Sequence, residues 1–411
     1  MGSIPIAGVM YLTSRQEAIL GGSEGTISAQ LLRILLELGE RQGADQMIPI
    51  VSAHLSGISY LTGGAGALRL YRELGAAGLR CAVRTSINPC GFDLRRFKEM
   101  GLEPEFVRAQ QELLDLMRGI GVQTSCSCIP QMIDPPQAGD HLAWAESSAL
   151  SYANTVLGAY TNRESGLTAL ISGVLGITPN YGMHLDRNRV STCEIRLDPS
   201  FVPHTSLEFS LLGGMLGERV NDGIPFFRGI QPTIPQIKAL LAGMATSGQV
   251  AMAYFEHLGL PLTILPRERN DRVLPLIVID RSEYQAYVER FTNEAIEPDL
   301  AVFGCPHLTE AEIDQILRLT EQCQDRQSNK PIIWFFCPRV FEQRIPDKLA
   351  RLSELGTVWF DTCMVVSPAV QSYRSLVVDS YKSYRYLRPL FAGRITVRDR
   401  LDLINEVFNG R

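Results

Sequence analysis

The chain has 411 residues, of which 45% are apolar and 20% charged, and its formal net charge is −5. That length supports two or three domains with buried cores. No block of lysine or arginine marks a nucleic-acid surface, so the partners to expect are a small molecule and another subunit.

At the amino terminus, MGSIPIAGVMYLTSRQEAIL has neither a basic stretch nor a long apolar run, so no signal peptide is read there. Ile6 stands where a myristoylation motif needs Ser or Thr. A first helix is expected near Ser14, with Glu17 closing a capping box. A second runs from about Ile27 to Arg41 on a stripe of Leu31, Leu32, Leu35 and Leu38; Arg33 and Glu37 interrupt it, so it is a core helix and not a membrane span. These readings place the chain in the cytoplasm, away from membranes.

A strand over residues 47–51 leads into the Ser- and Gly-rich loop SAHLSGISYLTGGAG. The plan then repeats: a strand at 80–84, the loop TSINPCGFD, a helix at 105–120 and a strand at 122–125 ending in CSCIP. Residues 141–181 read as helix broken by a polar loop, 189–212 as strands and 234–258 as helix. In the last third, strands and helices alternate. Strands are expected at 274–279, at 300–303 ending in GCPH, at 331–336 ending in Cys337, and at 357–360 ending in DTC. Between them lie a helix capped by Asp280 and Glu283, one capped by Thr309 and Glu312 and running to about Cys323, and one over 346–355. Such alternation predicts an α/β protein of several domains, with helix-covered, mainly parallel sheets. The charged stretch 267–272 is the candidate boundary between an N-terminal region, 1–270, of one or two subdomains and a doubly wound C-terminal domain, 271–411.

Nine cysteines at wide spacings do not form a disulfide framework; metal binding or plain burial fits them better. Cys305 and Cys363 fall just past the carboxyl ends of expected parallel strands, where open α/β sheets place their ligands. Cys126 and Cys128 also follow a strand, and at most one is expected to join them. Three thiolates from separate strands can hold iron and leave one coordination position open, as a Lewis-acid dehydratase requires. A lone cysteine is, however, more often a small buried hydrophobe, and Cys337 occupies a similar strand-end place.

Other residues carry chemistry less specifically. The loop from Ser52 offers hydroxyls, His54 and the flexible Gly57, and such loops bind anions as well as making plain turns. Glu146, beside Trp144, is a carboxylate that desolvation would tune for proton transfer, or a surface glutamate. Asn162, Arg163 and Glu164 form a polar cluster in which Arg163 pairs with a substrate anion or with Glu164. Lys382 is an anion anchor or a surface charge.

Taken together, PIVSAHLSGISY, INPCGFDL, TSCSCIP, HLAWAESSALSYANTVLGAYTNRE, GIPFFRG, ATSGQVA, FGCPHLT, DTC and DSYKSYRY resemble, in order and spacing, large subunits of the aconitase X family. The resemblance spans residues 10 to about 386. It implies an aconitase-like fold, a small swivelling partner subunit that closes the site, and a hydro-lyase using an iron–sulfur cluster (four-iron or two-iron) or a mononuclear iron. The metal ligands it implies are Cys128, Cys305 and Cys363. The substrate contacts are Gly57, Ile58, Ser59, Asn88, Pro89, Glu146, Ser147 and Lys382. The expected substrate is a small hydroxy acid: first cis-3-hydroxy-L-proline, giving Δ1-pyrroline-2-carboxylate, and second 5-phosphomevalonate. A non-catalytic iron–sulfur or redox-sensing protein is the reading from another class; it would need the cysteines but not Glu146, Lys382 or the Ser52 loop. The base is sought among Glu146, Ser52 and His54. Two departures stand out: Cys90 follows Asn-Pro where a small residue is expected, and the tail after Tyr386 fits the family poorly.

Overall fold

The computed structural model describes residues 10–258, 274–292, 297–321 and 331–409. The reading of the first nine residues, the candidate boundary 267–272 and Cys323 lie outside them.

Three parallel sheets organise the chain. The first has the order Arg84–Ile87, Ser52–Leu55, Leu142–Trp144, with Ser52–Leu55 in the middle. The helix Thr26–Arg41 turns Leu31, Leu32 and Leu35 into the core beside this sheet, joined by Leu55, Leu113 and Ile171. The second sheet runs Tyr254–Phe255, Pro225–Phe227, Cys193–Leu197, Leu276–Ile279. Beside it pack two helices, Ser206–Val220 and Ile234–Ser247, that touch through glycine. A Cβ on Gly213 would lie 2.2 Å from the Leu240 carbonyl oxygen, and one on Gly243 would lie 2.3 Å from that of Ser210, so no larger residue fits either crossing point.

The third sheet has five parallel strands in the order Thr357–Phe360, Ile332–Cys337, Leu300–Phe303, Ser375–Val378, Arg394–Val397. Side chains alternate across it. Leu300, Val302, Trp334 and Phe336 fill one core; Ala301, Phe303, Ile333 and Phe335 fill the other. A sheet covered on both faces explains why these strands read as unbroken apolar runs. Among the described residues, no helix is long and apolar enough to cross a membrane.

Several expectations need correction. The first helix is Ser14–Leu20, but its capping box is Thr13 with Gln16, one residue earlier than expected. The strand expected at 80–84 is Arg84–Ile87, and that expected at 122–125 is a single bridge between Gln123 and Ser86. Residues 141–181 contain two short strands as well as two helices. In 189–212 only Cys193–Leu197 is extended, while Ser206–Val220 is helical, capped by a Thr205–Glu208 box. That helix is buried from Phe209 to Gly217, so it shows no one-sided stripe and its alternating Leu207, Phe209 and Leu211 imitate a strand. The helix expected over 234–258 ends at Ser247.

Candidate active site

Loops at the carboxyl ends of parallel strands from the first and third sheets converge. Strand Ser52–Leu55 leads to Gly57, whose φ of +75° suits a residue without Cβ, and then to Ser59. The Ser59 hydroxyl caps the helix Tyr60–Ala76 and donates to the Val366 carbonyl at 3.1 Å, tying this loop to the segment beyond Cys363. Ile58 and Pro89 are buried in the same loops. Asn88 follows Arg84–Ile87, and its backbone N–H donates to the Leu55 carbonyl. Glu146 follows Leu142–Trp144 as the N-cap of the helix Ser147–Val156, where Ser147 is buried. From the third sheet, Cys305 follows Leu300–Phe303 and Cys363 follows Thr357–Phe360, while Ser380 caps the short helix that carries Lys382.

Glu146 and Lys382 form a buried ion pair. Glu146 also accepts from Asn88 Nδ2 at 2.5 Å, and from the backbone N–H of Ser148 at 3.3 Å and its hydroxyl at 2.9 Å; Lys382 Nζ donates to that hydroxyl at 3.0 Å. Burial pushes the Glu146 carboxyl up, but the Lys382 ammonium and these hydrogen bonds outweigh it and hold the group down to about 2. The pair is thus a carboxylate facing an ammonium, with each charge compensated out of water.

Three thiols surround this pair. Cys128, Cys305 and Cys363 are all buried, 7%, 7% and 8% exposed. Cys363 acts electrostatically on Cys128 and Cys305, Cys128 acts on Cys305, and all three thiols respond to both Glu146 and Lys382. Burial pushes Cys128 up to about 12 and Cys363 up to about 11, and raises Cys305 as well. Protonated thiols in this position require a strong cation to become thiolates, so a metal entering here releases protons as it binds. Among the described residues, no three His, Cys, Asp or Glu side chains are grouped to hold a single ion. Thiolates are soft donors, of the kind that suit iron–sulfur centres.

Other expected residues are placed elsewhere. Ser52 begins its strand, so it lies at the sheet edge opposite the crevice, and its hydroxyl accepts from the Trp144 indole at 3.2 Å. His54 is fully buried, with Nδ1 2.8 Å from Ser86 Oγ and Nε2 2.8 Å from Asn88 Oδ1. It therefore supports Asn88 from behind. Arg163 is exposed and donates to the carbonyls of Ala245 and Gly248; Glu164 is buried and accepts from Thr168 instead. Cys126, with φ of 45°, turns away from the other thiols to hydrogen-bond with Cys90, itself fully buried and donating to the Phe92 carbonyl. Ser148, which completes the Glu146 pair, and His307, within FGCPHLT, were not singled out from the sequence.

Buried neutral histidines give this region an acid-sensitive fold. Desolvation lowers His54 to about 4, His307 to about 4 and His184 to about 3. Unfolded histidines take up protons below about 6.5, whereas these do not until well below that. Stability is therefore lost as the pH falls from about 6.5 toward 4, by about 3 kcal/mol per histidine at full effect. The expected result is a Tm that drops steeply between about pH 7 and pH 5; a flat Tm there would contradict neutral burial of these rings.

Fold and site together define a multidomain α/β enzyme with a buried carboxylate–ammonium pair among three thiols. Comparison with known proteins makes this specific. Three family descriptions match in sequence: aconitase X first domain over residues 9–187, second domain over 191–289 and third domain over 298–409. The last match reaches through the tail that the sequence words fitted poorly, and that tail supplies the edge strand Arg394–Val397 and the helix Arg400–Asn409. The chain is 35% identical to the phosphomevalonate dehydratase large subunit of Methanosarcina mazei, with 98% of each chain covered. It is 28% identical to the cis-3-hydroxy-L-proline dehydratase of Pseudomonas aeruginosa over 93% of this chain but 67% of that protein. The crystal structure of Thermococcus kodakaraensis aconitase X in its holo form matches with a TM-score of 0.86 and 33% identity, covering 97% of this chain and all of that one. The chain belongs to the aconitase X family of dehydratases.

Proposed function

We propose that this chain is the large subunit of a dehydratase that removes water from 5-phosphomevalonate. Both this compound and cis-3-hydroxy-L-proline are 3-hydroxy acids, so either would lose a C2 proton beside the carboxylate and the hydroxyl on C3. The sequence words alone put the hydroxyproline first. The near end-to-end similarity to phosphomevalonate dehydratase large subunits supports the opposite order.

The observation that carries the reading is the convergence of Cys128, Cys305 and Cys363 on the Glu146–Lys382 pair. An iron centre, if bound, would be held by Cys128, Cys305 and Cys363 and would supply Lewis acidity toward the leaving hydroxyl. Glu146 takes the C2 proton as the C2–H bond breaks; C2=C3 forms, the C3–O bond breaks, and the departing hydroxide leaves as water on taking that proton from Glu146, which restores the carboxylate. Lys382 meets the incoming substrate carboxylate, which competes with Glu146 for the ammonium. As Glu146 loses that partner, burial makes it a stronger base where one is needed. Asn88, held by His54, and Ser148 keep the carboxylate aimed. The amides about Gly57 and Ser59 line the same crevice and contact the substrate.

A small subunit completes the enzyme, as the name of the large-subunit relatives suggests. Without it, water reaches the crevice and competes with substrate. The test is anaerobic reconstitution of the chain with a small subunit, assayed on both hydroxy acids. Turnover of 5-phosphomevalonate by the pair, with none detectable from the chain alone, is expected. Exclusive turnover of cis-3-hydroxy-L-proline would overturn the substrate, and full activity of the isolated chain would overturn the two-subunit reading.

A further inference from the structure

His307 touches all three segments that carry the converging thiols. It lies two residues after Cys305 and is fully buried. Its backbone N–H donates to Cys128 Sγ at 3.2 Å. Its ring Nε2 is 2.9 Å from the carbonyl of Thr362, the residue before Cys363, and its Nδ1 is 3.2 Å from the hydroxyl of Ser127, the residue before Cys128. A carbonyl only accepts, so Nε2 carries the proton and Nδ1 accepts from Ser127. The His307 carbonyl in turn accepts from Lys238 Nζ at 2.8 Å, and Lys238 is ion-paired to buried Glu312 at 2.6 Å. The turn bearing this ring is thus anchored from below by a buried charge pair.

We propose that His307 is the positioning residue that registers the three thiols against one another. Neutral and singly protonated, the ring has one donor and one acceptor, and each is spent on a different cysteine-bearing segment. The segment after the Gln123 bridge and the two strand-end loops of the third sheet have no covalent reason to keep a fixed separation. A ring that bridges them supplies one, and the N–H···S bond orients Cys128 toward the other two sulfurs. The role rests on the reading of these thiols as ligands, so its test includes a measurement in iron-free protein.

Three variants separate the contacts. His307→Gln keeps a donor that reaches the Thr362 carbonyl, His307→Asn is too short to reach it, and His307→Ala removes both ring contacts. In chain purified anaerobically with its small subunit, His307→Ala and His307→Asn are expected to lose most of the bound iron and to shift the visible circular dichroism of what remains. His307→Gln is expected to restore both toward wild type. In iron-free chain, Cys128 should be alkylated by iodoacetamide faster in the Ala and Asn variants than in wild type, as read by mass spectrometry. Wild-type iron content and spectrum in all three variants, or equal alkylation rates in the iron-free chains, would overturn the proposal. If wild type itself binds no iron, the ligand reading fails, and the alkylation rates alone decide whether His307 positions Cys128. Should His307→Ala not fold, the Gln and Asn pair still decides the matter, since the two differ in reach.

Discussion

Cys305→Ser is expected to lose bound iron and dehydratase activity together, while the chain keeps its fold. A serine hydroxyl is a hard, weakly acidic ligand and cannot replace a thiolate on iron. Among the described residues the nearby donors are engaged: Cys126 hydrogen-bonds with Cys90, and Glu146 is paired with Lys382. Cys128→Ser and Cys363→Ser should behave alike, because each removes one of the three soft donors. Cys337→Ser is the control. Cys337 also ends a strand of the third sheet, but it is fully buried in the core on the far face with Phe303 and Phe335. A hydroxyl there, lacking a partner, costs about 1–3 kcal/mol of stability and should leave iron untouched. Iron per chain and Tm, measured on the four variants, separate the two outcomes. Full iron in Cys305→Ser would remove it from the ligand set.

What the sequence made legible followed from where chain position alone constrains structure. The strands Leu300–Phe303 and Thr357–Phe360 and the Thr309–Glu312 box lie where expected, because short apolar runs bounded by capping residues are local signals. The short strands Ser375–Val378 and Arg394–Val397 were missed, although they are as long as the two that were read. Among the candidate site residues, Cys305 and Cys363 do follow strands, as read, whereas Cys128 rests on the family resemblance and follows only a single bridge. Arg163 was misplaced because polarity does not distinguish a guanidinium facing a substrate from one that satisfies the last carbonyls of the helix Ile234–Ser247. The pairing of Glu146 with Lys382 joins positions 236 residues apart, and no local pattern encodes it. His307 was hidden for the same reason, since its three contacts exist only once two sheets meet.

That pairing changes what Lys382 is expected to do. From sequence, a lysine anchoring a substrate anion would affect mainly KM when removed. In the structure its ammonium is buried against Glu146, so deleting it acts on the base as well. Glu146→Gln should retain iron and fold and lose about 10²–10⁴-fold in kcat, the usual contribution of a positioned acid–base group. Lys382→Met, which fills the space without the charge, leaves a carboxylate buried and unpaired, a change that costs about 3–5 kcal/mol when a buried pair is broken. With the ammonium gone, burial acts on Glu146 opposed only by the Asn88 and Ser148 hydrogen bonds, and its carboxyl is expected to rise from about 2. A group whose native pKa is depressed stabilises the fold above its unfolded value and loses that contribution as the pH falls through the native one. Lys382→Met removes this contribution, so the variant is less stable at neutral pH and no longer gains from carboxylate ionisation. In catalysis the acid limb of kcat/KM should move to higher pH in Lys382→Met and vanish in the double variant with Glu146→Gln. If Lys382→Met raises KM while its kcat and acid limb stay as in wild type, Lys382 is an anchor alone, and the base is set by groups other than its ion pair.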